Sequence, residues 1–262
     1  MFAQCFGYQI LRSWREFSKQ VMDTMKGTKL ASLGLLMPPG FPTGAHGKVH
    51  SCLVKYKDTH PAQWMSFGLG WNGVAYRYRA MAEYDEQFTT SIKNSGNSPP
   101  SEERYKQDNT LFGFFVCAVS TIECFFYSTY WMGVILEPNG FPSGSKNLKY
   151  LHPETIRDKF DANFHGDALT RQMEKCVNDP MWTDMKCIRD VLSHRGMLPR
   201  KFYRGGERNG MATMPKNIKD PSDQWQFDLP MDEKTTVSRR QWLDNILNRL
   251  IIEANDFCNR RL

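Results

Sequence analysis

Apolar residues recur every three or four positions over long stretches of this chain, and short runs dense in proline and glycine separate them. That spacing is the mark of amphipathic helices, and the runs are its punctuation. In residues 1–26, Phe6, Ile10, Trp14, Phe17 and Val21 suit one helical stripe. Met37 to Gly47, MPPGFPTGAHG, reads as loop, because proline and glycine at this density oppose a helix interior. Lys48 to Tyr56 alternates well enough for a short strand. Trp71 to Ile92 returns to helical periodicity, with Val74, Tyr78, Met81, Tyr84, Phe88 and Ile92 in one stripe. After the loop KNSGNSPP, Ser101 starts a helix with Glu102 and Glu103 in its first turn, where carboxylates favour the exposed N–H groups. It runs to just before Pro138, about 36 residues or roughly 54 Å, with a bend expected near Gly113.

Glu137 to Lys149 is a second loop, and residues 153–164 and 167–177 read as short helices. Asp179 to Gly196, DPMWTDMKCIRDVLSHRG, has clear ends: Asp179 caps, Pro180 suits the first helical position and Gly196 stops. Lys201 to Met214 reads as a hairpin. Ser238 to Cys258 reads as a last helix, with Ser238 and Gln241 as a capping box and Trp242, Ile246, Leu250 and Phe257 as its stripe. The sum is a mostly α protein, a helical bundle around a long apolar central helix, with a small β-hairpin and a loop-rich N-terminal region. Strands are few and do not alternate with helices, which argues against an α/β sheet. Residues 1–70 form an N-terminal extension and 71–262 the bundle, with the hairpin at about 200–215 and the C-terminal helix at about 238–261.

At 262 residues and 40% apolar composition the chain can bury a sizeable core. Its net charge of +6 is compatible with a polyanionic partner without pointing to one. The seven cysteines show no metal or disulfide spacing, so free thiols in a reducing, cytoplasmic compartment are expected. The N-terminus, MFAQCFGYQILRSWREF, does not read as a signal peptide. Leu111 to Leu136 is long enough to span a bilayer, but Glu123 would sit at mid-membrane at a cost of roughly 3 kcal/mol. A soluble core helix is the favoured reading, with no membrane partner.

Motif matches fail one by one. Gly68-Leu69-Gly70-Trp71-Asn72-Gly73 fits G-x-G-x-x-G but lacks the flanking parallel strands, and reads as a flexible helix-start loop. Gly47-Lys48 lacks the remainder of a phosphate-binding loop, since position 42 is proline and Val49 replaces the hydroxyl residue. His46 and His50 have no acids beside them, and His60, His152 and His165 are isolated, so neither metal nor cofactor is expected.

Chemistry concentrates late in the Asp179 helix, at Arg189, Asp190 and His194. Histidine moves protons near neutral pH, and arginine holds phosphate bidentately and stabilises developing charge. Residues five apart lie about 140° and about 7.5 Å apart on a helix, so one copy makes an awkward site and two copies across a symmetry axis a better one. The competing reading is an ordinary helix C-terminus, where such residues satisfy the last carbonyls. Arg195, Arg200, Lys201, Arg204 and Arg208, interleaved with Phe202 and Tyr203, suit a surface that tracks a nucleic-acid backbone and stacks bases. A solvated hairpin would look the same. Glu123, in the most apolar helix, must be paired, hydrogen-bonded or protonated. Either it is a structural contact, with Ser120, Tyr127 or an arginine as partner, or it lies beside Arg189 and His194.

Arg189-Asp190-x-x-x-His194 resembles the R-polar-x-x-x-H motif of HEPN domains, helical domains of many bacterial and archaeal toxin and defence proteins. Residues 71–196, including FGFFVCAVSTIECFFYSTYWMG, are similar to uncharacterised bacterial HEPN-like proteins. The resemblance implies a homodimer with paired motif helices and metal-independent RNA cleavage. In it His194 handles protons, Arg189 holds the scissile phosphate, and Asp190 takes the place of the supporting polar residue. RNA is the implied substrate, and an antitoxin-like protein a further candidate partner. Some HEPN domains are non-catalytic, so a helical module that binds a protein or nucleotide is the alternative.

Overall fold

A computed structural model describes residues 27–30, 32–144, 148, 151–194, 200–201, 210–213 and 227–261. Two antiparallel strands, β1 (Thr28–Leu30) and β2 (Leu35–Met37), precede helix α1 (Thr43–Leu53) and one 3-10 turn at Val54–Tyr56. Then come α2 (Pro61–Ser95), α3 (Ser101–Leu136), α4 (Pro153–Asn163), α5 (Ala168–Val177) and α6 (Pro180–His194). A small antiparallel sheet, β3 (Arg200–Lys201), β4 (Gly210–Thr213) and β5 (Phe227–Pro230), leads to α7 (Lys234–Arg261). The protein is thus a mostly α bundle around one long apolar helix.

That helix is α3. Phe114, Phe115, Ala118, Val119, Ile122, Phe125, Phe126 and Tyr130 are fully buried on several of its sides. It passes the length and composition test for a bilayer span, yet 67% of its apolar window is buried inside the protein, as in a core helix. α2 lies antiparallel along it. A Cβ on Gly70 would stand 2.5 Å from Ser128 Oγ, one on Gly73 3.0 Å from Cys124 Sγ, and one on Gly113 2.5 Å from the Tyr84 ring. Glycine at these places lets the two long helices approach closely.

The remaining helices cover α3 and α2. α6 packs on α3 through Trp182, Met185, Ile188 and Val191, all buried. Arg239 of α7 reaches Asp184 of α6 at 2.7 Å and lies over the Phe115 ring. α7 runs antiparallel to α2, with Asp244 on Tyr78, Arg240 on Asp85 and Glu233 on Lys93. α1 joins α2 through reciprocal bonds: the Trp71 indole donates to the His46 carbonyl, and His46 Nε2 meets the Trp71 carbonyl, each at 3.0 Å. One contiguous core runs from Leu30 to Cys258.

Several boundaries differ from the sequence expectation. Lys48 to Tyr56 is not a strand. It is helix and 3-10 turn, and α1 begins inside the expected loop. His46, Val49 and Leu53 are its buried face, a helical spacing that the alternation obscured. Gly44 and Gly47 face open space, so helix is tolerated there at about 1 kcal/mol per glycine. α2 starts at Pro61 rather than Trp71 and is unbroken through residues 70 and 71, so Gly68, Gly70 and Gly73 lie within a helix and not in a loop. α7 starts at Lys234, and Ser238 Oγ donates back to the Lys234 carbonyl at 2.6 Å instead of capping. The sheet has a third strand, β5. By contrast α3, α4 and α5 lie where expected, and Asp179 caps α6 by accepting from the Met181 N–H at 2.8 Å. No disulfide joins the described cysteines. The expected helix in residues 1–26 lies outside the described residues.

Candidate functional site

The buried stripe of α6 fixes how its polar residues face. Arg189 follows Ile188, so it leaves the helix at the edge of the α3 contact. Glu123 emerges from α3 at the same edge. The two meet as a fork: Arg189 Nη2 donates to Glu123 Oε1 at 2.9 Å and Nη1 to Oε2 at 3.3 Å. Arg189 Nε donates to Asp190 Oδ1 at 2.7 Å. The arginine side chain is 18% exposed, Glu123 37% and Asp190 46%, so the guanidinium is sheltered and its acids face solvent. Burial works against the arginine's charge, but the bonds and charges of Glu123 and Asp190 outweigh it and raise its pKa above the ordinary value.

Tyr127 lies one turn beyond Glu123. Its ring sits edge-on to Trp131 at 6.2 Å and is partly exposed. Glu123 is thus paired with an arginine from another helix, Arg189, which fits the structural contact and the place beside the motif alike. His194 is the last residue of α6, and its side chain lies outside the described residues. So do Arg195, Phe202, Tyr203, Arg204 and Arg208. Arg200 and Lys201 form β3, in register with Met211 and Gly210 of β4. The described part of the site is thus an arginine held by two carboxylates. Such a guanidinium suits oxyanion binding, provided its acids give way.

Sequence reasoning missed a second polar cluster, between α2 and α7. Tyr78 Oη donates to Asp244 Oδ1 at 2.6 Å, and Arg240 Nη1 donates to Asp85 Oδ2 at 2.9 Å. Burial raises the pKa of Asp244, and likewise that of Glu86. The signal was available, since Arg240 and Asp244 are one turn apart on α7. Tyr78 and Asp85 are buried, so this cluster ties two helices together rather than meeting a solute. His46 is buried as well, and burial lowers its pKa to about 4. Among the described residues no group of three or more His, Cys, Asp or Glu side chains could hold a metal.

No protein-family model, curated protein or solved structure matches this chain.

Proposed function

We propose that the protein is a metal-independent endoribonuclease of HEPN type, acting as a homodimer on RNA in the bacterial cytoplasm. The observation that carries this reading is the fork of Arg189 and Glu123 between α6 and α3. It holds the motif arginine, itself sheltered, beside acids that border solvent, an arrangement in which a phosphate would reach the guanidinium once Glu123 gives way. His194 follows within the last turn and a half of the same helix. Because the two residues diverge by about 140°, a second copy supplies the complementary pair. In this scheme Arg189 holds the scissile phosphate, and His194 takes the 2′-hydroxyl proton or gives one to the leaving oxygen. Asp190 keeps the guanidinium oriented through Nε. Arg195, Arg200, Lys201, Arg204 and Arg208 would follow the backbone, and Phe202 and Tyr203 would stack bases.

The test is RNA cleavage in EDTA by the wild type, His194→Ala and Arg189→Met, with the mass in solution measured alongside. A dimer that cleaves, and two variants slowed by at least about a hundredfold, are expected. Equal cleavage by all three proteins, or by none, would refute the assignment.

A second reading has its own observation. Met65, Leu69 and Tyr76 on α2 and Tyr105 and Phe112 on α3 are exposed. Their spacing places each set along one helical stripe, as on a module that docks a protein partner. Under this reading RNA stays intact in the same assay.

A further inference from the structure

A guanidinium can grip an oxyanion bidentately at its Nε/Nη edge or at its Nη1/Nη2 edge; in Arg189 the Nε of the first is taken by Asp190, which leaves the second as the full bidentate edge. Both nitrogens of that edge are already bonded to Glu123, at 3.3 and 2.9 Å, while Nε is bonded to Asp190 at 2.7 Å. A phosphodiester presents two non-bridging oxygens to the same kind of edge. Glu123 and a phosphate therefore compete for one place, and one guanidinium edge cannot hold both.

The two acids are not equivalent. Asp190 is the next residue on the same helix, so it travels with Arg189 and leaves the Nη edge open. Glu123 comes from α3, 66 positions away in sequence, and is 37% exposed. Among the described residues its carboxylate is hydrogen-bonded to Arg189 alone. A side chain held by one partner and bordering solvent can turn away when a stronger ligand arrives. Until it does, its negative charge also repels phosphate.

We infer that Glu123 is an internal phosphate surrogate that keeps the Arg189 site closed until an oxyanion displaces it. This rests on the reading of Arg189 as the phosphate-holding residue. It adds that the resting protein is self-inhibited, and that the inhibition resides in one carboxylate outside the motif. Asp190 keeps the fork in place while Glu123 leaves.

Inorganic phosphate is the probe. It is titrated into the full-length wild type, Glu123→Gln and the double variant Glu123→Gln/Arg189→Met, by calorimetry and by the Nε–H resonances of arginine-labelled protein. Glutamine keeps the shape and removes the charge. Glu123→Gln is expected to bind phosphate at least about tenfold tighter than wild type, a difference of about 1.4 kcal/mol. The gain is expected to vanish in the double variant. Glu123→Asp, with its shorter reach, is expected to give a smaller gain and serves where the glutamine variant does not fold. Unchanged affinity in the folded single variants overturns the proposal, as does a gain that survives the loss of Arg189. A lower melting temperature without tighter binding identifies a merely structural ion pair and also overturns it. Tighter phosphate binding without RNA cleavage by wild type sinks the nuclease reading alone. Cleavage that depends on His194, without tighter phosphate binding in Glu123→Gln, sinks this one alone.

Discussion

His46 should make the fold sensitive to mild acid. Its ring is fully buried, stacked on Trp71 at 4.7 Å, and bonded through Nε2 to the Trp71 carbonyl. A carbonyl accepts, so Nε2 carries the proton of a neutral ring, and Nδ1 is buried with no partner among the described residues. Burial lowers the pKa from 6.5 to about 4, the bond to Trp71 works against this shift, and the neighbouring His50 adds slightly to it. The unfolded chain therefore binds a proton that the native state refuses between pH 6.5 and about 4. Stability contributed by this site is complete above 6.5, falls as the pH drops, and is gone below about 4, a loss of about 3 kcal/mol. The assay is urea unfolding of wild type and His46→Leu from pH 4 to 7.5. Leucine costs stability at every pH but cannot titrate. His50 and the carboxylates are common to both proteins and cancel to first order. The stability gap between the two should close by about 3 kcal/mol on acidification from pH 6.5 to 4. A gap that stays constant over that range refutes the buried neutral ring.

Two packing predictions follow. Gly70→Ala places a methyl 2.5 Å from Ser128 Oγ and 2.8 Å from the Tyr127 ring, so it should push α2 from α3 and cost about 1–3 kcal/mol, read as a lower melting temperature. An unchanged melting temperature would contradict the close contact. Tyr78→Phe removes the 2.6 Å bond to Asp244 and leaves a half-buried carboxylate short of a donor. A loss of about 1–3 kcal/mol in denaturant unfolding is expected, and a stable variant would mean that water already serves Asp244.

The parts of the fold legible in the sequence were those with one long stripe and chemically marked ends. α3 is such a case, with Glu102 and Glu103 at one end and Pro138 beyond the other. α6 is another, because Asp179 and Pro180 mark its start. The N-terminal region was misread for a physical reason. In Lys48 to Tyr56 the apolar residues satisfy alternation and helical spacing alike, and only packing decides between them. His46 and Val49 pack inward on a helix, and Trp71 closes bonds to His46 that no local pattern encodes. The glycines of G-x-G-x-x-G misled in a related way. Glycine marks a turn when read locally, but at Gly70 and Gly73 it marks the surface of a neighbouring helix.

The candidate site was legible in part, and the part that was not is instructive. A motif gives residue types at a spacing, so Arg189, Asp190 and His194 could be named together. A lone acid in an apolar helix must find a partner, so an arginine could be expected for Glu123. Neither rule reveals that the acid would bond both terminal nitrogens of the Arg189 guanidinium. That is set by the angle at which α6 crosses α3, which depends on Trp182, Met185, Ile188 and Val191 seating against α3. The stripe that makes α6 predictable thus also decides which acid its arginine meets. If core packing sets the resting state, a change in the α6 seat that leaves every motif residue intact should alter phosphate binding. Ile188→Val is the mildest such change, removing one buried methylene beside Arg189 at a cost of about 0.5–1.5 kcal/mol. Phosphate affinity that shifts in Ile188→Val but not in Ile188→Val/Glu123→Gln, each against its Ile188 parent, would tie the packing to the fork. Equal shifts in both backgrounds would show that the seat of α6 acts on the site by some other route.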